Sequence, residues 1–187
     1  MNLKLIITGN GGQGVVFLTR LFAQTSTELG YTVMVSETHG MSQRGGSVIS
    51  HLKINGDEAP LILRGTADFM IALDANEAVR NLALLRRAGM VFVNADDGLR
   101  SEVGPHLERL NIKVMSLPAS SLAIELGSAS IANIIMAGFV VAHPAFDIPI
   151  EKMTATVEKV SKHDVELNLK ALETGYQTGK RNFSAFK

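Results

Sequence analysis

Residues 9–14 read Gly9-Asn10-Gly11-Gly12-Gln13-Gly14, set between an apolar run, Leu3-Lys4-Leu5-Ile6-Ile7, and a helical stripe from Val15 to Leu29. A glycine turn between strand and helix lets backbone N–H groups approach an anion without Cβ atoms in the way. It also points a helix N-terminus at that anion. Gly9, Gly11 and Gly14 space as G-x-G-x-x-G, a pattern that gains weight only from its strand-then-helix context. Two readings are open: phosphate binding at the helix N-terminus, or a tight connection whose glycines serve packing. No lysine stands in the turn, which disfavours a Mg-nucleotide triphosphatase loop.

Outward from the turn, the helical stripe ends at Gly30, a C-cap glycine by position, and Tyr31–Val35 is a second apolar strand. Strand, turn, helix and strand make a βαβ unit. Ser36 to Gly46 has no period and is dense in hydrogen-bonding groups. Ser47–Ile54 alternates, Asn55-Gly56 is a hairpin signal, and Pro60–Leu63 is the expected returning strand. The αβ order then resumes. Strands are expected at Phe69–Leu73, Met90–Val93 and Ile112–Met115. Helices are expected at Glu77–Arg87, capped from Asp74-Ala75-Asn76, and at Val103–Leu110 and Ser120–Leu126. Ala129–Ala142 is apolar nearly all round and so reads as a buried or interface helix.

Beyond the breaks at His143-Pro144 and Pro149, two amphipathic helices follow, Ile150–Lys159 and Asp164–Thr174. The basic tail from Lys180 carries Phe183 and Phe186, aromatics suited to docking. The expectation is one α/β domain, 1–187, doubly wound, with a mostly parallel sheet, an inserted antiparallel hairpin and a helical C-terminal part, 149–187 being a helical extension.

Composition narrows the class. With 46% hydrophobic and 19% charged residues the chain can bury a core, and 18 basic against 18 acidic residues give no general pull toward nucleic acid or an anionic membrane. Zero cysteines exclude a cysteine nucleophile and cysteine-held zinc or iron–sulfur centres in this chain. Ala129–Ala142 falls short of the roughly 20 residues of a spanning helix, and no secretory signal opens the sequence. A cytoplasmic protein is expected.

The candidate residues fall into two stretches. In the glycine turn, Gly9, Gly11, Gly12, Gln13 and Gly14 are candidates for binding a phosphate. In the loop after the second strand, Glu37, His39, Gln43 and Arg44 offer an acid or base, neutral donors and a cation that fork-binds phosphate or carboxylate, with Gly45 and Gly46 making the backbone permissive. Glu37 lies 23 residues past Gly14, close to where a dinucleotide site places its ribose-binding acid, so a NAD(P)-binding dehydrogenase domain is an alternative. An ion pair of Glu37 with Arg44 is the plainer role. His51, His106, His143 and His163 have no partners at metal-ligand spacing, and no metal site is expected. Asp96-Asp97-Gly98 lacks the leading glycine and the Asn pair of a thiamine motif, and the serines of 116–130 lack a nucleophile elbow.

The glycine turn together with Glu37-Thr38-His39-Gly40-Met41-Ser42-Gln43-Arg44-Gly45-Gly46-Ser47-Val48 resembles the gamma-type subunit of 2-oxoacid:ferredoxin oxidoreductases, closest to the smaller subunit of the indolepyruvate-specific type. The helix with Asn133 and Gly138 also sits where that family has one. The resemblance implies a chain inactive alone, with no catalytic residue of its own. Its larger partner subunit would carry thiamine diphosphate, Mg and iron–sulfur clusters and pass electrons to ferredoxin, and the complex would convert a 2-oxoacid, an aryl one such as indolepyruvate, to an acyl-coenzyme A. It further implies that coenzyme A touches this chain, with the glycine turn and Arg44 on a phosphate. Glu37, His39, Gln43, Gly45 and Gly46 would then wall the active site or interface. A purely structural assembly subunit is the other alternative, and a homodimer is possible when the chain is isolated.

Overall fold

The computed structural model describes residues 2–40, 46–56 and 59–184, His39 by its backbone alone. The first strand, β1 (Leu3–Asn10), is buried on both faces. Leu5 and Ile7 point into one apolar cluster and Ile6 into another. This period-two division is what a strand inside a three-layer sandwich requires. The glycine turn then opens α1 (Val15–Glu28), which buries Val15, Leu18, Leu21 and Phe22. Gly30 ends that helix at φ +85°, its N–H on the Thr27 carbonyl at 2.9 Å.

The chain continues through β2 (Val33–His39), β3 (Ser47–Ile54), β4 (Ala67–Ala72), α2 (Ala75–Asn81), β5 (Leu85–Asn94), α3 (Gly104–Leu110), β6 (Lys113–Leu117), α4 (Ala119–Glu125), α5 (Ala132–Val141), α6 (Ile150–Val160) and α7 (Val165–Phe183). Among the described residues six strands form one sheet in the order β2-β3-β1-β4-β5-β6. The β1–β4, β4–β5 and β5–β6 pairs are parallel, and β3 runs antiparallel to both β1 and β2. Residues of α1, α4, α5, α6 and α7 share the cluster on one face. Residues of α2 and α3 share the one on the other. The doubly wound α/β architecture expected from the sequence is the one found.

The antiparallel hairpin differs in its members. It is β2–β3, joined across 40–46, and not β3 with Pro60–Leu63. β3 already has a partner on each edge, so no ladder remains for a third strand. Asn55 still turns, at φ +50°, but it closes back on the start of β2: its N–H reaches the Thr32 carbonyl at 2.8 Å. Within 60–63 only Ile62 is buried, its N–H on His51 Nδ1 at 3.2 Å. Lys53 is buried, with Nζ on the Ala59 carbonyl at 2.6 Å. Helix α2 is also shorter than the expected Glu77–Arg87. Arg86 is drawn into β5 by Asp68 at 2.7 Å, beside a register shift in the β4–β5 ladder.

The C-terminal helices pack on the main core. Where α7 crosses α5, a Cβ on Gly138 would overlap the Leu172 carbonyl oxygen, and one on Gly175 the Ile135 carbonyl oxygen. Phe183, expected to dock on something, docks within the chain, buried against Phe92, Phe139 and the His143 ring. Phe186 lies outside the described residues.

Candidate functional site

The chain departs from β1 toward β2 and β3 on one side, and β4 takes the other side. The carboxyl ends of β1 and β4 are therefore the point where the winding reverses, and open α/β sheets bind ligands in the crevice there. The glycine turn sits at that point.

Its groups divide their work. Asn10 N–H donates to Gln13 Oε1 at 2.7 Å and Gln13 N–H to the Asn10 carbonyl at 3.1 Å, so Gln13 braces the turn. A Cβ on Gly9 would crowd Gln13, Val15 and Leu73, so Gly9 is kept for packing. Gly11 N–H donates to the Gly46 carbonyl at 2.8 Å. Gly14 caps α1 at φ +85°, and a Cβ there would overlap Asn133 Nδ2. Gly12, at φ +95°, has no atom within 4 Å of where its Cβ would stand. No side chain caps α1 and no acid stands in its first turn, so neither offsets the partial positive charge at its start. The backbone approach to an anion is thus open at Gly12 and the helix start, while the Gly11 N–H is already engaged.

That engagement brings the two candidate stretches together. Gly46 touches Gly11, so the far end of the loop stands at the glycine turn, while Gly40 N–H reaches the Ser47 carbonyl at 2.8 Å and holds the near end against β3. Gln43, Arg44 and Gly45 lie outside the described residues. Glu37 and His39 are on β2, opposite Ser50 and Val48. With β3 between β2 and β1, Glu37 is two ladder spacings from the turn, about 10 Å, and on an edge strand. A ribose-binding acid belongs on the neighbouring parallel strand, so the sheet does not support the dinucleotide alternative.

A cleft of about 170 Å³ opens beside the turn, lined by Gly12, Gln13, Asn94, Ser120, Ser130 and Asn133. Asn94 donates to the Leu73 carbonyl at 3.2 Å and to Ser120 Oγ at 2.8 Å, and it accepts the Ser120 N–H at 3.0 Å. Asn133 is buried in α5, its Oδ1 taking the Ile134 N–H at 2.9 Å and its amide lying 3.4 Å from the Gly14 carbonyl. The sequence singles out neither Asn94 nor Asn133 as a site residue, although Asn133 marks the apolar helix. The signals were a lone Asn in an apolar helix and an Asn at the carboxyl end of a strand. The lining amides and hydroxyls give the cleft hydrogen-bond donors and acceptors. Ser120 Oγ accepts from the Asn94 amide, and Ser130 Oγ shares a hydrogen bond with Ser128 Oγ.

Two histidines with shifted titration lie elsewhere, His51 buried and His143 half-buried. His51 is held below its ordinary pKa by burial and then by Lys53, and His143 by burial and then by Lys113. Among the described residues no group of three metal-ligating side chains occurs, and no helix is long and apolar enough to cross a membrane.

Residues 4–178 match the family model described as pyruvate ferredoxin/flavodoxin oxidoreductase. The chain belongs to that family. It is 33% identical over 190 residues to indolepyruvate oxidoreductase subunit IorB of Archaeoglobus fulgidus, with 94% of each chain covered. The keto/oxoacid ferredoxin oxidoreductase gamma subunit of Geobacter sulfurreducens shares the fold at TM-score 0.76 and 24% identity, covering 95% of this chain and 98% of that one. The Magnetococcus marinus 2-oxoglutarate:ferredoxin oxidoreductase, solved with 2-oxoglutarate, coenzyme A and succinyl-CoA, has TM-score 0.79 and 17% identity over 96% of this chain and 31% of that one. The chain is thus a small subunit of an oxidoreductase of the 2-oxoacid:ferredoxin type, and the resemblance seen in its two motifs holds over nearly its full length.

Proposed function

We propose that this subunit serves an indolepyruvate-type, aryl 2-oxoacid:ferredoxin oxidoreductase and that its glycine turn, with Arg44, receives a phosphate of coenzyme A. The contact of Gly11 with Gly46 carries the reading. It roots the Arg44 loop at an uncapped helix N-terminus, in the crevice where the sheet reverses its winding. The cradle fits a phosphate: an open glycine, free helix N–H groups and no carboxylate in the first turn. The name of the Archaeoglobus relative supports indolepyruvate as substrate, and the coenzyme A in the Magnetococcus structure supports the ligand.

In this reading the larger partner subunit would hold thiamine diphosphate with Mg and iron–sulfur clusters, which would supply the chemistry for decarboxylation and for electron transfer to ferredoxin. This chain binds and orients the thiol carrier that takes the acyl group. Glu37, His39, Gln43, Gly45 and Gly46 wall that route. The complex works in the cytoplasm.

A pull-down of the chain from its native lysate tests the partner: a large cysteine-rich subunit with a thiamine motif should come with it, and reconstitution should oxidise indolepyruvate. Arg44→Ala tests the ligand. Losing a charge-assisted contact costs about 1.5–3 kcal/mol, so the coenzyme A KM of the complex should rise roughly tenfold or more. If Arg44→Ala instead weakens assembly and leaves that KM unchanged, the loop serves subunit contact alone.

A further inference from the structure

We infer that Glu77 is the positioning residue of the glycine turn, an assignment that rests on the coenzyme reading for its effect on turnover. Glu77, in the first turn of α2, is buried at 1% exposure. Ser47 Oγ donates to its Oε2 at 2.5 Å, and its Oε1 takes Arg80, whose side chain is 69% exposed. Ser47 opens β3 opposite Asn10, and the carbonyl just before it, that of Gly46, holds the Gly11 N–H. One helical turn on, Asn81 donates to Thr8 Oγ1 at 3.1 Å, and Thr8 donates to the Val48 carbonyl at 3.2 Å. Helix α2 therefore grips β1 and β3 at adjacent points directly under the turn.

The acid is a poor choice for stability alone. A buried carboxylate is costly to desolvate, and an ion partner that exposed returns little. An apolar side chain of like volume would pack α2 on the sheet as well. What the carboxylate supplies is a strong acceptor that fixes the Ser47 hydroxyl, and through it the Gly46 carbonyl and the Gly11 amide.

The test uses the assembled complex with Glu77→Gln and Ser47→Ala. Hydrogen exchange on the peptide Thr8–Gly14, read by mass spectrometry, should accelerate about tenfold in either variant while β4 and β5 keep their protection. The coenzyme A KM should rise about tenfold, with kcat and the 2-oxoacid KM near wild type, and the double variant should be no worse than the single ones. Unchanged exchange in Glu77→Gln overturns the inference. So does an equal loss in kcat and both KM values, the mark of general damage. Faster exchange with an unchanged coenzyme A KM leaves Glu77 as the turn's positioning residue and overturns the coenzyme reading instead.

Discussion

Two regions of the molecule are built on glycine for opposite reasons. At the carboxyl end of β1, Gly12 has empty space where a side chain would go, and the emptiness faces a polar cleft. At the crossing of α5 and α7, Gly138 and Gly175 have the backbone of the facing helix where a side chain would go, a carbonyl oxygen first and a backbone nitrogen close behind it. The first region keeps room for a ligand, the second for another helix. Gly14 belongs to both kinds, with a left-handed φ and the Asn133 amide in its Cβ position. A glycine's job is set by what surrounds it in three dimensions, which its spacing in sequence does not state.

The largest expected effect is at the crossing. Gly138→Ala or Gly175→Ala puts a methyl group into a carbonyl that belongs to a helix backbone and cannot rotate away. Destabilisation of more than about 3 kcal/mol is expected, read as a lowered urea midpoint or as loss of soluble protein. A variant near wild-type stability would mean that the helices can separate and that the comparison is drawn too sharply.

Gly14→Ala comes next. The left-handed backbone costs about 1–2 kcal/mol for an alanine, and the Asn133 overlap adds to it. Here the obstacle is a side chain. Gly14→Ala combined with Asn133→Ala should be less destabilised than the sum of the two single changes, by roughly 1 kcal/mol in a double-mutant cycle. At Gly138 a matching Leu172→Ala should recover nothing, because the collision is with the Leu172 backbone. Gly12→Ala should cost least, about 1 kcal/mol from its φ alone, while its effect on coenzyme A affinity exceeds that. Equal affinity in Gly12→Ala would remove the backbone from the site.

Much of this was legible beforehand, and the boundary is physical. The apolar run of β1, the glycine turn, the α1 stripe and its Gly30 cap are local signals, and each stands where the sequence placed it. The two long motifs gave the family because they are irregular and therefore specific. Strand pairing is not local: Asn55-Gly56 signalled a turn, but only the full ladder shows that β3 had no free edge for Pro60–Leu63. The displacement of Glu37 by one intervening strand has the same origin. Glu77, Asn94 and Asn133 were missed because each is a single polar residue whose partner lies far along the chain: 30 residues for Glu77 with Ser47, 26 for Asn94 with Ser120 and 119 for Asn133 with Gly14.

The smallest effect concerns pH, and it separates the regions by their titrating groups. His143 lies at the helix crossing, edge-on to Phe92 and Phe183, with its Nδ1 taking the Ala145 N–H at 3.2 Å. Burial, then the charge of Lys113, holds its pKa below the ordinary 6.5. The unfolded chain therefore binds more protons than the folded one in the interval just under 6.5. Stability from this group is complete above that value and is lost as pH falls through the interval. His51 titrates in the same direction, and it sits under Ile62, away from the crossing. Acidification from about pH 8 to about pH 5 should lower the urea midpoint, and His143→Phe should flatten the slope without removing the share due to His51. Hydrogen exchange should show the difference between the regions directly. The α7 peptide that carries Phe183 should loosen at a higher pH than Thr8–Gly14, whose hydrogen bonds to Gln13, Gly46, Asn81 and Val48 involve no histidine. Simultaneous loosening would mean that the crossing and the turn open as one unit.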